Sequence, residues 1–124
     1  MKVNYLIACD GVVRTQGKLN VLGIFTVITV RKVPCAHPYL ALVAELNAEP
    51  GEHEFLFRFR GSGDEDLTPA TPLGKFKVDD VGVGEVVAEL RNFPIVKAGF
   101  LAIQLVIDGK VAGQRDLIVR AMES

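Results

Sequence analysis

The sequence predicts an all-β protein: an antiparallel two-sheet β-sandwich of about eight strands with Greek-key-like connections. Three observations carry this. Residues 98–120 read AGFLAIQLVIDGKVAGQRDLIVR, two apolar-rich runs around an Asp108-Gly109 step. A tight hairpin turn that matches strand twist needs φ > 0, which Gly adopts freely and Asp tolerates. Residues 53–60 alternate, with Phe55, Phe57 and Phe59 facing one way and Glu54, Arg58 and Arg60 the other. Period-two alternation means one buried and one wet face. Finally, short β-rich runs recur along the chain between Gly and Pro turns, the pattern of a sandwich or small barrel. An open barrel is the alternative fold.

The elements follow in order. Residues 1–9 read as a strand with Val3, Tyr5 and Ile7 on one face, and residues 10–18 as a polar connection. Residues 19–32, LNVLGIFTVITVRK, are rich in β-branched side chains and lack Pro. They form one strand or two, with a bend at Gly23, since Gly inside a strand often marks one. Pro34 and Pro38 bracket a break. Residues 39–47 resume as a strand with Leu40, Leu42, Ala44 and Leu46 on one face, and residues 49–52 turn. The three Phe of residues 53–60 mark the centre of the core. Residues 61–72, GSGDEDLTPATP, are an acidic loop, and 73–78 a short strand. Residues 85–93 fit a helical face through Val86, Val87, Leu90 and Phe93. They fit a strand with Val86, Ala88 and Leu90 inward better, because the neighbouring segments are short and β-like. The predicted core is Tyr5, Ile7, Ile24, Leu42, Phe55, Phe57, Phe59, Leu90, Ile103 and Leu105.

Composition bounds the function. The 124 residues are 49% hydrophobic and 23% charged, which fits one globular domain over residues 1–124. Fourteen Lys and Arg against 15 Asp and Glu give a net charge of −1. That balance argues against nucleic-acid binding, which favours a basic surface, and gives no support for an anionic membrane partner. No apolar run approaches the roughly 20 residues of a spanning helix. The run at Tyr5–Cys9 is too short for a signal-peptide core. The expected location is therefore the cytoplasm, with Cys9 and Cys35 reduced and Cys9 a small buried hydrophobe.

The opening YLIACDGVVRTQGKLNVLGIF and the closing ELRNFPIVKAGFLAIQLVIDGK resemble an uncharacterised family of small bacterial proteins of unknown function. In that family a first strand leads through an Asp-containing loop to a Gly-Ile-Phe segment. A later Gly-aromatic strand, here Gly99-Phe100, runs into a two-residue turn. The resemblance spans most of the chain and implies a bacterial source and a β-sandwich. It carries over no active-site residue, and residues 61–72 match nothing in it.

Motifs for chemistry are sparse. Cys35-Ala36-His37 brings two ligand types together, with Cys9, Asp10 and His53 as distant partners, but zinc sites usually pair two such spacings. Asp64, Glu65 and Asp66 lack the alternating spacing of a calcium loop, and Asp79-Asp80 is weaker still. No G-x-S-x-G element or Walker sequence is present. Arg58, Arg60 and Arg91 could form an anion-binding patch, against the simpler reading of a charged wet face beside Glu54 and Glu89. No catalytic, cofactor-binding or metal-ligating residue is assigned, and no cofactor is expected. The leading expectation is a non-catalytic cytoplasmic sandwich acting through protein interaction or self-association. The expected homodimer uses residues 19–32, or the sheet face beside them, because that run carries few charges to guard an edge. The alternatives are a small metal-dependent or thiol hydrolase centred on Cys35, His37 and His53, and a small-molecule binder using the space between the sheets.

Overall fold

Ten strands and no helix make up the computed structural model, which describes residues 1–123. In chain order they are β1 (Lys2–Thr15), β2 (Lys18–Phe25), β3 (Val27–Val30), β4 (Cys35–Asn47), β5 (Gly51–Arg60), β6 (Asp66–Thr68), β7 (Gly74–Val78), β8 (Val83–Ile95), β9 (Gly99–Ile107) and β10 (Lys110–Ala121). A four-stranded sheet has the order β2-β1-β4-β8. A six-stranded sheet has the order β3-β10-β9-β5-β6, with β7 also on β5. Neighbours such as β1, β4 and β8 are far apart in sequence, so the chain crosses repeatedly between sheets. The sheets do not close on one another, which settles sandwich over barrel.

The core lies between the sheets. Leu40, Leu42, Ala44 and Leu46 of β4 are all buried, as are Phe57 and Phe59 of β5 and Leu101, Ile103, Leu105 and Ile107 of β9. The Phe59 ring meets Phe93 edge-on, with centroids 4.8 Å apart. Residues 85–93 lie within β8, and Val86 is buried while Ala88 and Leu90 pack on the core. The helical alternative fails there because twelve residue pairs join this strand to β4.

Five sequence expectations are corrected. The expected break between Pro34 and Pro38 is strand from Cys35 onward, because residues 35–37 already pair with β8 and Pro38 is carried within β4. Residues 10–15 continue β1, and the turn sits at Gln16-Gly17, both with positive φ (52° and 75°). The acidic loop contains β6. Tyr5 faces outward because the register of β1 on β4 shifts between Val3 and Tyr5. One extra residue there reverses every later side chain, so Leu6 and Ala8, not Tyr5 and Ile7, enter the main core. Ile24 is 58% exposed, next to the bend at Gly23, whose φ is +67°. The bend itself was legible, but its effect on the facing was not.

A second, smaller cluster lies on the outer face of the four-stranded sheet. Cys9, Ala41 and Val43 are buried there, with Val12, Leu19 and Val21 of the β1–β2 hairpin packed against them. Arg14, near the hairpin tip, pairs with Glu85 of β8, two strands away from β1. The far half of the hairpin therefore leans over the outer face and shields it.

Candidate functional site

The residues of the hydrolase alternative do not meet. Cys35 and His37 begin β4, pairing with Ile95 and Phe93 of β8. His53 lies in β5, beyond the other end of β4. Twelve strand steps at ~3.3 Å put roughly 40 Å between the ends of β4. Cys35 packs partly into the main core, and the His37 ring lies 6.5 Å from that of Phe25. Cys9 is buried as expected, its Sγ within reach of the carbonyls of Gly11 and Ala41 (3.5 and 3.6 Å), either of which can accept its single proton. Burial pushes that thiol up from its ordinary pKa, which keeps it in the unreactive protonated form.

His53 instead holds turns together. Its Nδ1 lies 2.6 Å from Asp108 Oδ2 and its Nε2 lies 2.7 Å from the Glu49 carbonyl. The ring stacks on Phe76 of β7 (centroids 5.6 Å apart). Asp108 also accepts from the Glu54 amide (2.9 Å). The Asp108 carboxylate, then the Glu49 carbonyl, raise the His53 pKa. This contact is not legible in the sequence, since its partners are 55 residues apart.

The acidic run does not converge. Arg60 reaches Asp66 (2.9 Å) and Asp64 (3.5 Å), while Glu65 takes the Lys97 ammonium at 2.8 Å. That ammonium, above all, holds the Glu65 carboxyl below the usual range. No group of three or more metal-ligating side chains forms among the described residues. The three arginines form no patch either. Arg58 and Arg60 lie on β5, whereas Arg91 lies on β8 in the other sheet, over the Tyr39 ring (5.3 Å).

What the fold leaves open is sheet edge. In the six-stranded sheet, β3, β6 and β7 are only four, three and five residues long, and short edge strands resist unwanted pairing. Between β6 and β7, Thr71 exchanges bonds with Phe57, its amide donating to the carbonyl and its Oγ1 accepting from the amide. The outer strands of the four-stranded sheet, β2 and β8, are longer. β8 carries Glu85, Glu89, Arg91 and Pro94, which disfavour its pairing with a second copy of itself. β2 has neither charge nor Pro from Leu19 to Phe25. Leu22 and Ile24 are exposed along it, and Val27 of β3 and its β10 partner Ile118 are exposed as well.

The model of a family of unknown function, DUF6941, matches residues 4–120. The chain belongs to this family. Membership of DUF6941 agrees with the likeness read from the two ends of the sequence and adds no assigned chemistry. No curated protein matches the chain. Among solved structures, the fold is similar to part of the alkylpurine DNA glycosylase AlkC of Pseudomonas fluorescens, solved bound to DNA containing an abasic site analogue. The likeness has a TM-score of 0.57 at 13% identity and covers 97% of this chain and 30% of that one. The chain thus spans under a third of that protein, and the likeness concerns fold alone. Among the described residues no helix is long and apolar enough to cross a membrane.

Proposed function

We propose that the chain is a non-catalytic cytoplasmic interaction module that self-associates through the edge formed by β2 and β3. The observation that carries this reading is the uncharged β2 edge with Leu22 and Ile24 53% and 58% exposed. An unpaired strand is a template for another strand, and a two-fold dimer is the simplest closed solution. A second copy of this chain offers the same uncharged strand, so the pairing is self-complementary. The hydrolase reading loses support because Cys35 and His37 lie far from His53. A small-molecule site between the sheets finds that space filled by Phe57, Phe59 and Phe93. The DNA-bound neighbour does not make this chain a DNA binder: its 14 basic residues are matched by 15 acidic ones.

Sedimentation at micromolar concentration tests the proposal. The expected mass is twice the 13.5 kDa of one chain. Ile24→Lys and Val27→Lys should each return the monomer with an unchanged circular dichroism spectrum. A wild-type monomer, or dimers that persist in both variants, refutes it.

A further inference from the structure

The edge of β8 differs from every other edge in the molecule. It is thirteen residues long and bonded to β4 on one side only. Its two ends are held. The Asp79 amide donates to the Val83 carbonyl (3.0 Å), and the Val83 amide donates back to Asp79 Oδ1 (2.9 Å). At the far end, Thr68 Oγ1 donates to the Pro94 carbonyl (3.2 Å). Between those clamps, no backbone group on the free side of β8 has a protein partner among the described residues. A groove runs beside this stretch. Phe59, Leu90 and Phe93 line it from the strands, and Pro69, Ala70 and Pro72 line it from the β6–β7 linker.

We propose that β8 accepts an additional strand: an extended, uncharged peptide segment of another protein. The segment pairs with the β8 backbone and sets alternate apolar side chains into this groove. Three features select that occupant. A row of free amides and carbonyls is matched in register only by another extended backbone, and strand addition combines such bonds with side-chain pockets. The two charges beside the groove are of opposite sign and held on one ring. Tyr39 donates to Glu89 at 2.5 Å and Arg91 stacks over the same ring, so their net charge is zero and neither a cationic nor an anionic segment is favoured. The fold already uses this solution on β5, whose edge is covered by the extended run from β6 through Thr71 to β7. A second copy is the poorer occupant, because its own β8 brings Glu85, Glu89 and the left-handed Asn92 (φ 52°).

The experiment uses the full chain carrying Ile24→Lys, so that self-association through β2 plays no part. Phage displaying linear peptides of about twelve residues, long enough to span the open stretch as a strand, are selected on the immobilised protein. The expected result is enrichment of peptides alternating apolar and uncharged polar residues. Ala70→Glu adds a charge to the exposed linker wall and should weaken the best peptide by about tenfold, the scale of one or two lost contacts. Methylating alternate backbone nitrogens of that peptide should abolish binding in one phase of alternation and spare it in the other. Failure to enrich any peptide overturns the proposal. So does binding indifferent to Ala70→Glu, or binding indifferent to backbone methylation in both phases. None of these outcomes bears on the β2 dimer.

Discussion

At His53, both ring nitrogens face groups that can only accept, the Asp108 carboxylate and the Glu49 carbonyl. Both contacts are satisfied only when the ring carries two protons. The folded pKa is raised, so the stabilisation is fully present below the ordinary histidine range, about 6.5. It is lost as pH rises through the folded value. His53→Phe keeps an aromatic ring on Phe76 and removes both bonds. The stability gap between wild type and this variant should be widest near about pH 5.5 and narrow towards about pH 9, measured by urea melts. A gap that does not change with pH excludes the doubly protonated ring. Phe57 illustrates a residue fully legible in sequence. It sits mid-strand in an unbroken alternation and is 0% exposed. Phe57→Ala should cost about 3–5 kcal/mol, whereas a loss under about 1 kcal/mol would place the residue off the core.

The elements were legible wherever alternation ran unbroken and illegible wherever a single residue changed its phase. The shift between Val3 and Tyr5 reversed the facing of β1 with no Gly or Pro to announce it. In β4 and β8 the inward positions change phase together, from Leu40 and Leu90 to Cys35 and Phe93, on either side of Pro38 and Asn92. Register is kept because both strands shift. The Asp108-Gly109 turn could be read because its chemistry is local: φ is 49° and 82°. A Cβ at Gly109 would touch nothing within 4 Å, so Gly109→Val should destabilise through the backbone alone, by about 1–2 kcal/mol. At Gly23 two costs combine. The φ is +67° and a Cβ would collide with the Asp10 carboxylate. Gly23→Ala should therefore be more harmful than Gly109→Ala, and adding Asp10→Gly should recover the steric part but not the backbone part. A double-mutant cycle reads the difference, and strict additivity would show that Asp10 is not the obstacle.

At the scale of the molecule, β4 is the strand that joins everything, because Leu40 through Ala44 are buried on both faces of its sheet. One face belongs to the inter-sheet core. The other is covered by the leaning half of the β1–β2 hairpin, with Tyr39 and Val87 beside it, through a small apolar cluster and the Arg14–Glu85 ion pair. Exposed pairs such as Arg14–Glu85 are worth about 0–1 kcal/mol, so the hairpin should open at a lower free energy than the sandwich unfolds. Cys9 reports this directly, since it is fully buried beneath the hairpin. In a Cys35→Ser background, Cys9 is the one remaining thiol, and its labelling by a disulfide reagent measures the opening. Labelling should be slow in wild type, faster in Arg14→Ala, and insensitive to urea well below the unfolding midpoint. That insensitivity marks a local opening that exposes little surface. If Cys9 instead reacts only in step with global unfolding, the hairpin is as firmly held as the core, and Val12, Leu19 and Val21 contribute more than their partial burial implies.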